Sequence, residues 1–182
     1  MAQKIAGAKA ALAAFKEGKG AGVLKFDITS NEDTSKTVSI VNGIVVFQYY
    51  ESLLQDCIRT TVSFTDSGNT IDGKGIMEGL PIYGSERASI KVEDNNDGKL
   101  EAKLYVNKPT QLLDDTRKSL IQLNLVSKEF FDNDKVRIIT RFDGKISEAV
   151  EKILTKDEKG GQNYLNTDKE VDIEDTSNNR NF

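Results

Sequence analysis

Along most of the chain, apolar and polar residues alternate one by one, the period-two pattern of strands buried on one face. Residues 57–64 read C-I-R-T-T-V-S-F, placing Ile58, Thr60, Val62 and Phe64 on one side and Arg59, Thr61 and Ser63 on the other. Residues 119–126, S-L-I-Q-L-N-L-V, repeat the pattern, with Leu120, Gln122, Asn124 and Val126 opposite Ile121, Leu123 and Leu125. Strands are also predicted over 87–93 and 99–106. The Asp94-Asn95-Asn96-Asp97-Gly98 run between them has the chemistry of a hairpin connection. Residues 38–41 and 44–50 flank Asn42-Gly43, the dipeptide best suited to a two-residue hairpin turn with both central φ angles positive. The expected fold class is mainly β: about six to eight short antiparallel strands forming a barrel or sandwich edge, then a smaller α+β part.

The period changes toward both ends. Ile5, Ala8, Leu12 and Phe15 recur at helical spacing among Lys4, Lys9, Lys16 and Lys19, and Gly18, Gly20 and Gly22 follow. No apolar core of a secretory signal is present in this stretch, so residues 1–22 are expected to be an Ala/Lys-rich N-terminal helix or extension. Residues 127–132 read as a short helical turn and 136–142 as a strand. Ile146, Ala149, Val150, Ile153 and Leu154 mark an amphipathic helix, with Asp143 or Gly144 at its start and Gly160-Gly161 beyond it. After Leu154 the chain is polar and acidic.

Composition narrows the chemistry. The chain has 182 residues, no histidine and 14 glycines, with 25 Lys+Arg against 29 Asp+Glu for a net charge of −4. Without imidazole there is no Ser-His-Asp or Cys-His triad and none of the usual catalytic zinc or facial-triad iron sites. The one cysteine, Cys57, excludes an intrachain disulfide framework and a multi-cysteine zinc knuckle. No apolar run is long enough for a membrane-spanning helix. A mildly acidic chain is poorly suited to wrapping phosphate backbone.

Several motifs invite a catalytic or binding reading, and each has a plainer one. Gly68 to Gly75 reproduces the phosphate-cradling spacing G-x-x-x-x-G-K, with Lys74 in the lysine position. Gly75 stands where a hydroxyl should hold magnesium, and Gly79 and Pro81 leave little room for the helix such a loop must open. The 93–104 stretch fails the calcium-loop pattern, because Leu104 stands where a bidentate Glu belongs. Asp114-Asp115, Asp132 with Asp134, and Asp172, Glu174 and Asp175 could supply paired carboxylates, but so acidic a chain brings such pairs together by chance. Cys57 has no histidine to activate it and reads as a structural thiol. Phe47, Tyr49 and Tyr50 could stack on bases or sugars, although Phe47 and Tyr49 share the packing face of their strand. Phe47, Tyr49, Leu80, Pro81 and Ile82 are therefore assigned to the framework. No catalytic, cofactor-binding or metal-binding residue is nominated, and no cofactor is expected. A nucleotide-binding protein or enzyme using Gly68–Gly75, or a glycan-binding β-module, stands as the alternative.

Longer blocks carry a family resemblance. I-V-V-F-Q-Y-Y-E-S-L-L-Q-D-C-I-R-T-T-V-S-F (44–64), G-L-P-I-Y-G-S-E (79–86), L-Y-V-N-K (104–108), S-L-I-Q-L-N-L-V-S-K-E (119–129) and R-F-D-G-K-I-S-E-A-V-E-K-I-L (141–154) appear in consistent order. Together they resemble the central baseplate hub proteins of large contractile-tailed (myovirus-type) bacteriophages, over roughly residues 23–182. Hub proteins are substantially longer and begin near Val23, so the resemblance implies an N-terminal portion of one, preceded by an extension. It implies a tail-tube-like antiparallel β-barrel over 23–107 and a partial α+β domain with an acidic polar tail over 108–182. It further implies a non-enzymatic virion protein: a homotrimeric ring in the tail baseplate, assembled in the host cytoplasm. Its partners would be further copies of itself, the tail tube and the central spike. DNA would pass through without specific binding, and no part would insert in a membrane.

Overall fold

The computed structural model describes residues 21–94, 98–115, 118–139, 141–155, 164–167, 169–177 and 179–181. The expected N-terminal helix lies outside them up to residue 20, and Gly22 already opens the first strand. Strands β1 (Gly22–Thr29), β2 (Thr37–Ser39), β3 (Ile44–Tyr50), β4 (Arg59–Asp66), β5 (Arg87–Glu93), β6 (Lys99–Asp114) and β7 (Ser119–Val126) form one antiparallel sheet in the order β2-β1-β5-β6-β7-β4-β3. The fold is mainly β, with this sheet curled into a half-barrel and few helices. The two strands at the ends of that order, β2 and β3, are neighbours in sequence but not in the ladder.

Alternation in the sequence becomes inside and outside in the sheet. Thr60, Val62, Phe64 and Asp66 of β4 are buried, as are Ile121, Leu123 and Leu125 of β7. Phe26 and Ile28 of β1, Ala88 and Ile90 of β5, and Leu104 and Val106 of β6 complete the inner face. Helix α1 (Ile76–Gly79) is a single turn, adding Ile76, with Leu80 and Ile82 just beyond it, to the buried set. Strand β6 runs past Asn107 and Pro109, so the expected domain boundary at 107/108 falls inside a strand paired with β7 as far as Asp114.

Two local expectations are corrected. Asn42-Gly43 does not turn a hairpin. Val41–Gly43 forms a 3-10 turn, β2 pairs with β1, and β3 pairs with β4. Glycine is needed at 43 for space, since a Cβ there would lie 2.6 Å from the Thr65 carbonyl oxygen. A tight turn with two positive φ angles occurs instead at Asp72 (49°) and Gly73 (80°), between the bridged residues Ile71 and Lys74. The other correction concerns 136–142, whose described residues form no strand. The strand there is the short β8 (Asp143–Lys145), paired with β9 (Asn179–Asn181).

The chain divides into two compact units, residues 1–50 with 59–126, and 51–58 with 127–182. The first is the half-barrel. In the second, Ser127 pins the 51–58 segment: its N–H donates to the Ile58 carbonyl at 3.0 Å, and its hydroxyl accepts the Ile58 N–H at 3.3 Å. Helix α2 (Lys128–Lys135) starts there, and α3 (Ile146–Leu154) occupies the span read from periodicity. Only Ser147 and Ala149 of α3 are buried, and Ile146 and Val150 are exposed. Tyr164 is buried against Phe142, with ring centroids 6.2 Å apart.

Candidate functional site

The phosphate-loop spacing at Gly68–Gly75 folds into something else. Asp66, at the inward end of β4, is 4 % exposed and takes up the donors that such a loop would aim at phosphate. Its Oδ1 accepts the Gly68 N–H at 3.2 Å and the Thr70 hydroxyl at 2.7 Å, and its Oδ2 accepts the Ile76 N–H at 2.6 Å. A carboxylate at the start of α1 satisfies the orphan N–H groups there and repels a second anion. Gly75 makes room for it, because a Cβ at 75 would lie 2.8 Å from Asp66 Oδ2. Gly73-Lys74 belong to the tight turn and open no helix. A pocket beside the loop gathers Lys74 and Lys118 with Asp114 and Asp115, bringing together residues far apart in sequence but of opposing charge.

The 81–86 segment is built around another internal carboxylate. Glu86 is 2 % exposed, and its Oε1 and Oε2 accept the N–H of Gly84 at 3.1 and 2.9 Å, while Oε1 also accepts that of Tyr83 at 2.9 Å. Gly84 (φ 141°) and Ser85 (φ 66°) take up the backbone geometry that wraps this side chain. Periodicity gives no hint of this role, since Glu86 reads as an ordinary polar residue before a strand. The framework residues Leu80 and Ile82 are buried, Pro81 is half-buried, and Tyr83 projects into solvent.

The remaining candidates are dispersed. Asp94 closes its own turn, with the Gly98 N–H donating to Oδ1 at 2.7 Å. Asp132 lies 3.7 Å from Lys128, and Asp175 lies 2.7 Å from Lys145. Among the described residues no group of three or more Cys, Asp and Glu is placed to hold a metal ion. Cys57 is buried. Phe47 and Tyr49 are half-buried on the packing face of β3, and Tyr50 is half-exposed. No described helix is long and apolar enough to cross a membrane.

What stands out instead is apolar surface. Leu53 and Leu54 are fully exposed in the 51–58 segment. In the half-barrel, Val45, Val46 and Tyr50 of β3, Tyr83, and Leu112 and Leu113 of β6 are all open to solvent. Apart from Tyr50, considered for stacking, the sequence reading singled out none of these positions for their exposure. The available signal was S-L-L-Q at 52–55, an apolar pair that fits neither strand nor helix period. No family model, curated protein or solved structure matches this chain.

Proposed function

We propose that this chain is a structural subunit of a phage tail baseplate: a central hub protein whose copies form a homotrimeric ring joining the tail tube to the central spike. One observation carries the reading beyond the sequence blocks. Buried carboxylates are used up in holding the fold, as at Asp66 and Glu86, while large apolar side chains stand in water at Leu53, Leu54, Tyr83 and Leu113. Exposed apolar groups of this kind are costly to a monomer and useful to an assembly. The tail-tube-like character of the half-barrel belongs to this proposal, as does the virion location. A ring would triple the chain's charge of −4, and acidic or neutral walls let DNA slide past without counterion release. The role asked of the chain is shape and self-association, with no bond made or broken.

Sedimentation velocity of the purified chain tests it. A trimer, lost in the Leu53→Ser/Leu54→Ser double variant while its melting temperature stays near the parent's, is the expected result. A parent that sediments as a monomer across the micromolar range overturns the reading.

A further inference from the structure

Among the described residues, β3 has a strand partner on one side only, β4. Its seven residues, I-V-V-F-Q-Y-Y, carry no charge and no proline, the usual guards of an open edge. Val45 is 61 % exposed and Val46 44 %. The register of the neighbouring strands points to what covers this edge. Strand β1 pairs with β2 as 27 with 39, 28 with 38 and 29 with 37, and the Ile40 N–H donating to the Phe26 carbonyl adds 26 with 40. Because β2, the 3-10 turn and β3 are consecutive, β1 followed backward runs antiparallel to all three. The antiparallel ladders from β1 through β5, β6, β7 and β4 to β3 give the same polarity. Gly22–Lys25 pass the turn, and the same count sets residues 16–21 beside 45–50. The turn rises about 2 Å per residue against about 3.3 Å in a strand, which slides this alignment by about one residue. Phe26 and Phe47 already meet across the seam.

We propose that residues 16–21 of the same chain continue β1 as an extended segment along the open edge of β3 and close the half-barrel. The tether fixes the occupant. This segment is joined covalently to β1, which flanks the seam, so its effective concentration at the edge exceeds that of any free strand. Its direction and register follow from β1 itself. Its composition suits an outermost strand: Lys16, Glu17 and Lys19 supply the charges that β3 lacks, and Gly18 and Gly20 let the backbone pass close beside Val46 and Gln48. The helical spacing of Ile5, Ala8, Leu12 and Phe15 ends just before it. The inference is independent of the ring reading, since one copy of the chain closes its own seam.

Gln48 is exposed on β3, and the two alignments set residue 18 or residue 19 opposite it. The test combines Gly18→Cys and Lys19→Cys, each in turn, with Gln48→Cys in the full chain. After mild oxidation, one of the two double variants is expected to hold a disulfide between the introduced positions, at monomer mass on non-reducing electrophoresis and mapped in unreduced digests. Hydrogen exchange gives a second reading. In Gly18→Pro/Lys19→Pro, one proline removes an N–H facing β3 whichever alignment holds. The 45–50 amides should then exchange about tenfold faster or more than in the parent, with those of 119–126 unchanged. Links found only between chains place a neighbour's segment on β3 and overturn the proposal. Absence of the link from both double variants, or exchange over 45–50 that the prolines leave unchanged, overturns it as well. None of these results bears on the trimer, which is read through Leu53 and Leu54.

Discussion

Phe26 and Phe47 meet edge to face, with ring centroids 6.2 Å apart and planes at 84°. Their strands, β1 and β3, are separated in the sheet by β5, β6, β7 and β4. In a flat sheet with strands roughly 4.8 Å apart, that is about 24 Å of lateral distance. The contact therefore measures the curl of the half-barrel. It also shows what holds the seam: β2 and β3 share no ladder, and the aromatic pair bridges β1 and β3, while the Ile40 N–H, donating to the Phe26 carbonyl at 3.0 Å, extends the β1–β2 pairing by one residue.

The seam should respond to loss of either ring. Phe26 is wholly buried, so Phe26→Ala is expected to cost about 3–5 kcal/mol. Phe47 is half-buried, and its replacement by Ala should cost less. In a double-mutant cycle by urea denaturation, the two should couple by about 0.5–1.5 kcal/mol, as edge-to-face pairs do. Additive effects would mean that the rings do not share the seam.

The turn after β2 gives a second test, because sequence and structure assign its glycine different jobs. If Gly43 served a positive-φ hairpin, Asn42 would matter as well. In the folded chain, Gly43 is fixed by its approach to the Thr65 carbonyl, and Asn42 is exposed. Gly43→Ala should destabilise by about 1–3 kcal/mol, since the clash is with backbone that must move. Asn42→Ala should stay within about 0.5 kcal/mol of the parent. Thermal melts of the two variants separate these outcomes.

That turn also shows where the sequence is legible and where it is not. Strands β4, β5 and β7 were readable because one side of each faces a single apolar interior, which imposes period two. Helix α3 was readable because its apolar residues keep helical spacing. Pairing was not readable at 38–50. An Asn-Gly dipeptide reports local turn propensity, and here the curl of the sheet sends β2 and β3 to opposite ends of the ladder. The reach of β6 was missed because Pro109 looks like a terminator, although a proline is acceptable where a strand runs along an edge. Asp66 was hidden for a different reason. Its partners lie two to ten residues downstream in an irregular loop, and no periodicity records such a contact.

Asp66 is expected to carry stability and not ligand binding. Asp66→Ala removes a buried carboxylate that accepts two N–H groups and a hydroxyl, leaving donors such as the Ile76 N–H without it. Charge-assisted bonds of this kind contribute about 1.5–3 kcal/mol each, and they overlap, so a loss of about 2–4 kcal/mol is expected in denaturant unfolding. Lys74 is exposed in the neighbouring turn, and Lys74→Ala should change stability little. Titration calorimetry with magnesium-ATP should give the same trace for parent and Lys74→Ala. Binding by the parent that the variant loses would restore the nucleotide reading.

The last expectation concerns pH and the second unit, where Glu129 sits in the first turn of α2. Burial alone would push its carboxyl up. Hydrogen bonds from Ser127, from Thr167 at 2.7 Å and from its own N–H, with the charge of Lys169 at 3.3 Å, outweigh that and lower it from 4.5 to about 2. A carboxylate depressed in the folded state binds its proton more readily when unfolded. Its contribution is thus fully present above pH 4.5 and fades as the pH falls toward about 2. Glu129→Gln has no such proton to gain, so parent and variant should differ most near neutrality and converge in acid. Urea unfolding of both proteins in steps from pH 6 to about pH 2.5 reads that convergence. Thr167→Val should shift it to higher pH by removing one of the bonds that hold the anion. A gap between parent and Glu129→Gln that stays constant over this range would mean that the side chain packs there without its charge contributing.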